Sequence, residues 1–223
     1  MRKIDFEGQL KVLKENKHYR FSDLFHRWGV RWNFDRNYIL RKDEYKNSIL
    51  RKYLEQKTKE IDYKTLNKIV KEYSCKKNLK LPKASELVIH LRCGDYFDKK
   101  EGNCWQKALN QENVLYKLLD QNFPQFQNNG IEKITIVTAL HFGANELNNR
   151  YFYSDEIYNE NLKFLKNVES KINSLGYELN LVSNNDFDLD FCYMANSNYF
   201  IKSTSNVSDI IEKCLRENTI VYK

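Results

Sequence analysis

The chain has 223 residues, with 37 Lys and Arg against 30 Asp and Glu, and a formal charge of +7. A hydrophobic content of 41%, including 14% aromatic residues, excludes a disordered chain, and five cysteines are too few for a disulfide scaffold. No apolar run approaches the ~18–20 residues of a membrane span, and acids near the N-terminus argue against a signal peptide. These features predict a soluble, cytoplasmic protein without a transmembrane segment.

The positive charge is unevenly distributed along the chain. Residues 1–83 hold 23 basic and 11 acidic side chains, whereas residues 84–223 hold 14 basic and 19 acidic ones. A basic segment of this kind can bind nucleic acid. No DNA- or RNA-binding motif accompanies the charge. We therefore expect a solvated basic helical face, and nucleic acid is not the favoured partner.

Apolar residues recur at helical spacing in the first 83 residues. The runs at 4–13, 45–54 and 61–73 each fit one face of a helix. Between the first two lies an aromatic, Arg-rich stretch at 18–38. It suits stacking on bases or sugars, although Trp28, Trp32 and Phe34 are more often ordinary packing groups. Residues 1–83 are thus predicted to form a small, basic helical segment.

After Pro82, short strands alternate with helices. Apolar runs predict strands at 86–91, 133–138, 177–182, 199–202 and 219–222, separated by helices at 111–122, 155–175, 188–196 and 208–216. Gly176 occupies the C′ position at which a helix ends. The alternation predicts an α/β fold over residues 84–223, a Rossmann-like parallel sheet flanked by helices. Ligands of such sheets bind at the carboxyl ends of the strands.

Polar residues follow the first predicted strand. Arg92 can hold a diphosphate with its bidentate guanidinium, and Gly94 allows the backbone to turn sharply. Asp95 can orient the arginine or accept a proton from a hydroxyl. The alternative is a turn stapled by an Arg92–Asp95 pair, and the residues alone leave both interpretations open.

Hydroxyl residues follow the fourth predicted strand, in the run Ser203-Thr204-Ser205-Asn206-Val207-Ser208. They can cap the next helix and, together with free backbone N–H groups, they can also bind a phosphate. His141, just past the second strand, faces the same edge of the predicted sheet. It could be a base, a contact to an acceptor, or an ordinary loop histidine.

Three acids, Asp186, Asp188 and Asp190, form two overlapping D-x-D triplets. Hard carboxylates suit Mg²⁺ or Mn²⁺ beside a nucleotide-sugar, whereas acids at a helix N-terminus suit the helix dipole. Before a helix of a parallel sheet we favour capping, and we expect no metal site. The cysteines form no C-x-x-C or Cys/His cluster, which predicts reduced and mostly buried thiols.

Four runs together resemble a known family. They are VIHLRCGDYF (88–97), ITIVTALHF (134–142), DLDFCYM (188–194) and NYFIKSTSNVSDII (198–211). They are similar to the fucosyltransferase group of GT-B glycosyltransferases, which includes α-1,2-, α-1,6- and protein O-fucosyltransferases and shares an H-x-R-x-G-D donor-site signature. The resemblance covers residues 86–216, the donor half of such an enzyme. It implies inverting, metal-independent transfer of fucose or a related sugar from a GDP-sugar to a glycan or glycolipid hydroxyl, with no other cofactor.

The resemblance also implies roles for individual residues. Arg92 would hold the donor diphosphate and stabilise the charge of the leaving nucleotide. His90 and Gly94 would shape the nucleotide pocket, and Asp95 would lie beside the sugar. The remaining donor-binding residues would contact phosphate, guanosine or the groups that support them: Asp190, Ser203, Thr204, Ser205 and Ser208.

Three departures from the family pattern affect the expected activity. Cys93 stands where many members have a second arginine, and His141 lies where several have acids, which makes it a candidate base beside Asp95. Only residues 1–83 precede the motif, so the acceptor side is reduced or comes from another subunit, which leaves a homo-oligomer open. The alternative function is a non-catalytic module that binds a nucleotide-sugar or a glycan.

Overall fold

Five parallel strands form one sheet in the computed structural model, which describes residues 49–56, 62–97, 103–139, 155–183, 187–215 and 217–223. The strands are β1 (Glu86–Arg92), β2 (Lys133–Ala139), β3 (Glu178–Ser183), β4 (Tyr199–Ile201) and β5 (Ile220–Tyr222). Their order across the sheet is β3-β2-β1-β4-β5. This confirms the predicted α/β fold with a Rossmann-like parallel sheet.

Six helices are present in the described part of the chain. They are α1 (Ile49–Gln56), α2 (Tyr63–Lys76), α3 (Asn103–Asn128), α4 (Asp155–Ser174), α5 (Phe187–Ala195) and α6 (Asn206–Cys214), with a 3₁₀ turn at Gly94–Phe97. The helices α1 and α2 confirm two of the three predicted N-terminal helical runs. The run at 4–13 and the aromatic stretch at 18–38 lie outside the described residues. None of the described helices is both long and apolar enough to cross a membrane.

Each face of the sheet has its own apolar core. Because side chains alternate along a strand, Leu87, Ile89 and Leu91 of β1 face one way, into a core shared with α3 and α4. Val88 faces the other way, into a core shared with α1, α2, α5 and α6. Two helices of the basic segment, α1 and α2, therefore pack in one core with the sheet.

Helix α3 is longer than predicted and runs through a proline. The predicted helix ends at residue 122, before Pro124, and an interior proline loses a backbone hydrogen bond at a cost of about 3 kcal/mol. The helix instead continues to Asn128. Phe126 is fully buried and packs edge-on against Tyr177 and Tyr222, with ring centroids 6.4 and 4.8 Å away. Burial of such a ring is worth about 1.5–3 kcal/mol, which offsets much of the proline penalty.

Helix ends otherwise follow local sequence rules. Gly176, at φ +84°, lies just beyond α4 and confirms the predicted C′ glycine. Helix α6 begins two residues earlier than predicted because Ser205 is its N-cap. The four cysteines with described side chains are free, and three of them, Cys93, Cys192 and Cys214, are buried.

Candidate functional site

The carboxyl ends of β1 and β4 form the point at which the strand order reverses. These neighbours are paired from Leu87 with Tyr199 to Ile89 with Ile201. The chain leaves β1 toward α3 on one face of the sheet and leaves β4 toward α6 on the other face. Diverging connections of this kind open a crevice at the carboxyl edge, where α/β proteins bind ligands. The two motifs singled out from the sequence meet here.

His90 joins the two motifs directly. Its Nδ1 lies 2.5 Å from Ser208 Oγ and 3.3 Å from Ser203 Oγ. Burial of the ring, followed by the positive charge of Arg92, lowers the pKa of His90 to about 3. The imidazole is therefore neutral at pH 7 and can accept a hydroxyl proton at Nδ1. It fastens β1 to the start of α6, and it is not a cation that could pair with phosphate.

Two buried amides hold the backbone after β1. The backbone N–H of Arg92 donates to Gln111 Oε1, and Gln111 Nε2 donates to Arg92 O, both at 3.0 Å. The N–H of Gly94 donates to Asn161 Oδ1 at 2.6 Å, and Asn161 Nδ2 donates to Gly94 O at 3.1 Å. Gly94 itself is buried at φ +73°, a conformation that favours glycine. The last residue of β1 and the turn that follows it, together called the Arg92 loop (residues 92–97), are thus held in place by side chains of α3 and α4.

Sequence reasoning missed both amides. Each one interrupts an apolar stripe: Gln111 lies between Ala108 and Leu115 on α3, and Asn161 lies four residues after Ile157 on α4. A polar residue within a core-facing stripe is the signal that could have found them, because buried amides require hydrogen-bond partners. The pattern does not show which backbone groups those partners are.

The serines after β4 bond to one another. Ser205 caps α6 by accepting from the N–H of Ser208 at 3.2 Å. Ser203 Oγ lies 3.0 Å from Ser205 Oγ and 2.9 Å from Ser208 Oγ. All three residues are buried, and Ser208 has no exposed surface. Ser208 lies beside a histidine, but it is closed to a substrate and cannot act as a nucleophile.

Arg92 and Thr204 flank the crevice and are linked through Tyr96. The Arg92 guanidinium carbon lies 5.0 Å from the centre of the Tyr96 ring, a cation–π distance. The Tyr96 hydroxyl lies 3.1 Å from Thr204 Oγ1. Thr204 is exposed, unlike the neighbouring serines. Tyr96 has no role in the sequence prediction, although it lies two residues after Gly94, and it is a third residue that sequence reasoning missed.

Two of the three acids of the D-x-D triplets lie at the N-terminal end of α5, and one of them also binds a distant backbone group. Asp188 and Asp190 lie buried in the first turn of α5, where their charge suits the helix dipole. A carboxylate oxygen of Asp188 accepts from the N–H of Ile49, at 3.1 Å, and so binds the backbone of α1. No group of three or more potential metal ligands occurs among the described residues. Asp186 lies outside them.

Several predicted residues fall where the site cannot be described. His141 lies outside the described residues, as does the side chain of Asp95, whose backbone belongs to the 3₁₀ turn. The segments after β2 (140–154) and β3 (184–186) also lie outside. Among the described residues, a cavity of about 10 Å³ lies between β1, β4 and α3, lined by Gln111, Ser203 and Thr204 among others. It has room for about one water molecule.

Comparisons with models of protein families, with curated proteins and with solved structures find no match to this chain. The geometry of the crevice is therefore the basis for assigning a function.

Proposed function

We propose that the protein is a glycosyltransferase that binds a nucleoside-diphosphate sugar, GDP-fucose or a related GDP-sugar, at the crevice between β1 and β4. The observation that carries the proposal is the contact between His90 and Ser208, 118 residues apart and 2.5 Å from atom to atom. This contact brings the Arg92 loop and the serine- and threonine-rich turn at residues 203–208, called the hydroxyl turn, to the point where the strand order reverses. Folds of this kind bind nucleotides there.

Arg92 is the residue assigned to the donor diphosphate. A guanidinium can contact two phosphate oxygens at once and stabilises the charge that develops on the leaving nucleotide. Its backbone is held by Gln111 and its side chain packs on Tyr96, which limits the entropy lost on binding. Lys202, the next cation along this edge, is already paired with Asp209 at 2.9 Å and Glu212 at 2.8 Å.

The hydroxyl turn would contribute mainly through its backbone. Ser203, Ser205 and Ser208 bond to each other and to His90, so their hydroxyls hold the turn in shape. Contact with a phosphate then falls to Thr204 and to backbone N–H groups at the start of α6. This is a narrower role than the direct hydroxyl contacts that the resemblance implies for the serines.

The reaction would be a direct displacement with inversion. The acceptor hydroxyl oxygen attacks the anomeric carbon, and the bond from that carbon to the diphosphate oxygen breaks with its electron pair leaving on the diphosphate. The hydroxyl proton passes to a general base, for which Asp95 and His141 are the candidates. His90 is unsuited to this role, because a pKa of about 3 makes it a very weak base at pH 7.

A non-catalytic nucleotide-sugar or glycan-binding module is the second candidate function. The observation that favours it is that His90, the only histidine in the described part of the chain, is held at Nδ1 by Ser203 and Ser208, and burial lowers its pKa. This histidine is therefore too weak a base to activate an acceptor hydroxyl, so binding without transfer is chemically consistent with the described part of the crevice.

Thermal unfolding in the presence of nucleotides tests donor binding. A ligand at 100 times its Kd stabilises the folded state by about 2.7 kcal/mol. We expect GDP and GDP-sugars to raise the unfolding temperature of the wild type and of Arg51→Ala, which changes a partly buried arginine of α1 that is paired with Glu55. Arg92→Ala should lose the shift, and Arg92→Lys should recover only part of it, because lysine lacks the planar fork.

Product analysis separates the two candidates. Release of GDP from a GDP-sugar together with glycosylation of an acceptor supports the transferase, whereas binding without turnover across a broad acceptor panel supports the module. No shift with any nucleotide would exclude the transferase and a nucleotide-sugar-binding module, and a shift that survives Arg92→Ala would refute the role assigned to Arg92.

A further inference from the structure

An open groove of about 900 Å³ lies at the end of the sheet opposite the crevice. It is bounded by α2, by the end of α6 and by the residues that lead into β4 and β5. Asn198 and Thr219 directly precede those two strands and line the groove, so the groove is at their amino ends. The crevice lies about 20 Å away, the distance from the first to the last of the seven residues of β1 at a rise of about 3.3 Å per step.

The lining of the groove is basic. Its described part contains four lysines, Lys64, Lys68, Lys71 and Lys213, against two acids, Asp62 and Glu217. Lysines at i, i+4 and i+7 of α2 follow one another along one helix face, about 6 Å and then about 4.5 Å apart along the axis. The Asp62 carboxylate is committed to the start of α2, where it accepts from the N–H of Lys64 and the hydroxyl of Thr65.

The three lysines of α2 are exposed and have no carboxylate partner in the described part of the chain. Paired lysines are common elsewhere: Lys171 contacts Asp120 at 2.5 Å, and Lys223 contacts Glu212 at 2.6 Å. The row on α2 therefore presents concentrated positive charge beside a concave surface, which suits a multiply charged anion.

The uncharged lining suits sugar hydroxyls better than nucleobases. The amide nitrogen of Asn67 donates to Cys214 O, which fixes the side chain and leaves its Oδ1 as an acceptor. The Thr219 hydroxyl donates to Ser197 O at 2.9 Å and keeps its lone pairs. Tyr63 is the sole aromatic residue among the described lining residues, and Lys213 Nζ lies 5.1 Å from its ring centre. The described lining thus lacks the stacking platforms typical of single-stranded nucleic-acid sites.

We propose that this groove binds an acidic oligosaccharide, whose carboxylates or sulfates contact Lys64, Lys68 and Lys71 while its hydroxyls donate to the amide and hydroxyl oxygens of the lining. The site goes beyond the proposed transferase function and does not depend on it. Because it lies about 20 Å from the crevice, it would hold a glycan chain and would not present the hydroxyl that reacts.

The test measures binding of a heparin-derived hexasaccharide by calorimetry, with maltohexaose as the uncharged comparison. The triple variant Lys64→Ala, Lys68→Ala, Lys71→Ala should bind roughly 10-fold or more weakly, since each exposed charge contact contributes modestly. The matched control replaces three exposed lysines of α3 and α4 by alanine, Lys107, Lys117 and Lys163. This control variant should bind the hexasaccharide as tightly as the wild type does. Thermal unfolding of both variants checks that each one is folded.

Each outcome decides the proposal. Weaker hexasaccharide binding by the α2 variant alone, with no binding of maltohexaose by the wild type, supports the proposal. Equal loss in both triple variants, or no binding of the hexasaccharide by the wild type, overturns it in favour of unspecific charge attraction. Equally tight binding of a single-stranded oligonucleotide of the same charge overturns it in favour of nucleic acid. Arg92→Ala should keep hexasaccharide binding, so failure of the donor site and failure of the groove are distinguishable.

Discussion

Replacement of Asn161 by alanine tests how the Arg92 loop is held. Asn161 is fully buried, and its amide bonds both backbone groups of Gly94 as well as Ile157 O, at 2.8 Å. Alanine would leave the N–H and C=O of the buried Gly94 without partners. An unsatisfied buried polar group costs about 1–3 kcal/mol, so we expect a loss of about 2–5 kcal/mol.

Gln111→Ala is the comparison within the same structure. It removes the equivalent pair of hydrogen bonds from Arg92, but Arg92 is only half-buried and water can replace the lost partners. Its expected cost is about 1–2 kcal/mol. Asn161→Ala should therefore be the more destabilising variant, and both should weaken GDP binding, because the backbone that carries the guanidinium is no longer fixed.

Urea unfolding followed by tryptophan fluorescence gives the free energies of unfolding. An additional variant, Asn161→Asp, keeps the acceptor for Gly94 N–H but turns a carboxylate toward two carbonyl oxygens. The folded-state pKa of the new carboxyl should be raised, so this variant should lose stability as pH rises from its unfolded pKa of about 3.9 through the higher folded pKa. A loss below about 1 kcal/mol for Asn161→Ala, or equal losses for both alanine variants, would refute the assigned role of the amide.

Two further predictions concern His90 and Tyr193. Because the folded pKa of His90 is lowered from 6.5 to about 3, its contribution to stability is complete above about pH 6.5 and is lost as pH falls toward 3. Wild type should lose about 2 kcal/mol more between pH 7 and 5 than His90→Asn does in urea unfolding, at about 1.4 kcal/mol per pH unit below 6.5, and parallel pH curves would contradict this. Tyr193 donates to the buried Glu86 at 2.5 Å, so Tyr193→Phe should cost about 1.5 kcal/mol. Tyr177→Phe, whose hydroxyl makes no hydrogen bond in the described part, should change stability by less than about 0.5 kcal/mol, and equal losses would count against the Glu86 contact.

Local patterns were sufficient to predict most elements of the fold. The five strands lie within one residue of their predicted bounds because buried parallel strands are short, continuous apolar runs with distinct ends. The end of α4 followed from Gly176 alone. Helix α3 was predicted too short, because local pattern cannot take account of the burial of Phe126, beyond Pro124, by residues far along the chain.

The candidate site was predictable in its parts and not in its connections. The positions of Arg92 and Ser205 at strand ends followed from the sequence, and a parallel sheet places such residues at one edge. The strand order that makes β1 and β4 neighbours was not predictable from local pattern, because it depends on contacts between distant residues. The same holds for Asn161, which binds Gly94 across 67 residues, and for Asp188, which binds Ile49 across 139.

The two proposed sites use charge in opposite ways, and this explains why net charge does not mark the donor site. At the crevice, hydroxyls, amides and a neutral imidazole fix the backbone, and Lys202 is neutralised by Asp209 and Glu212. A single arginine on a rigid loop can then select a diphosphate by geometry, within a domain that is net acidic. The groove instead places lysines that carry no ion pair along α2, within the segment that holds most of the basic residues. Attraction by such exposed charges is screened over about 10 Å at 0.1 M salt, so binding in the groove would depend strongly on ionic strength and binding in the crevice much less.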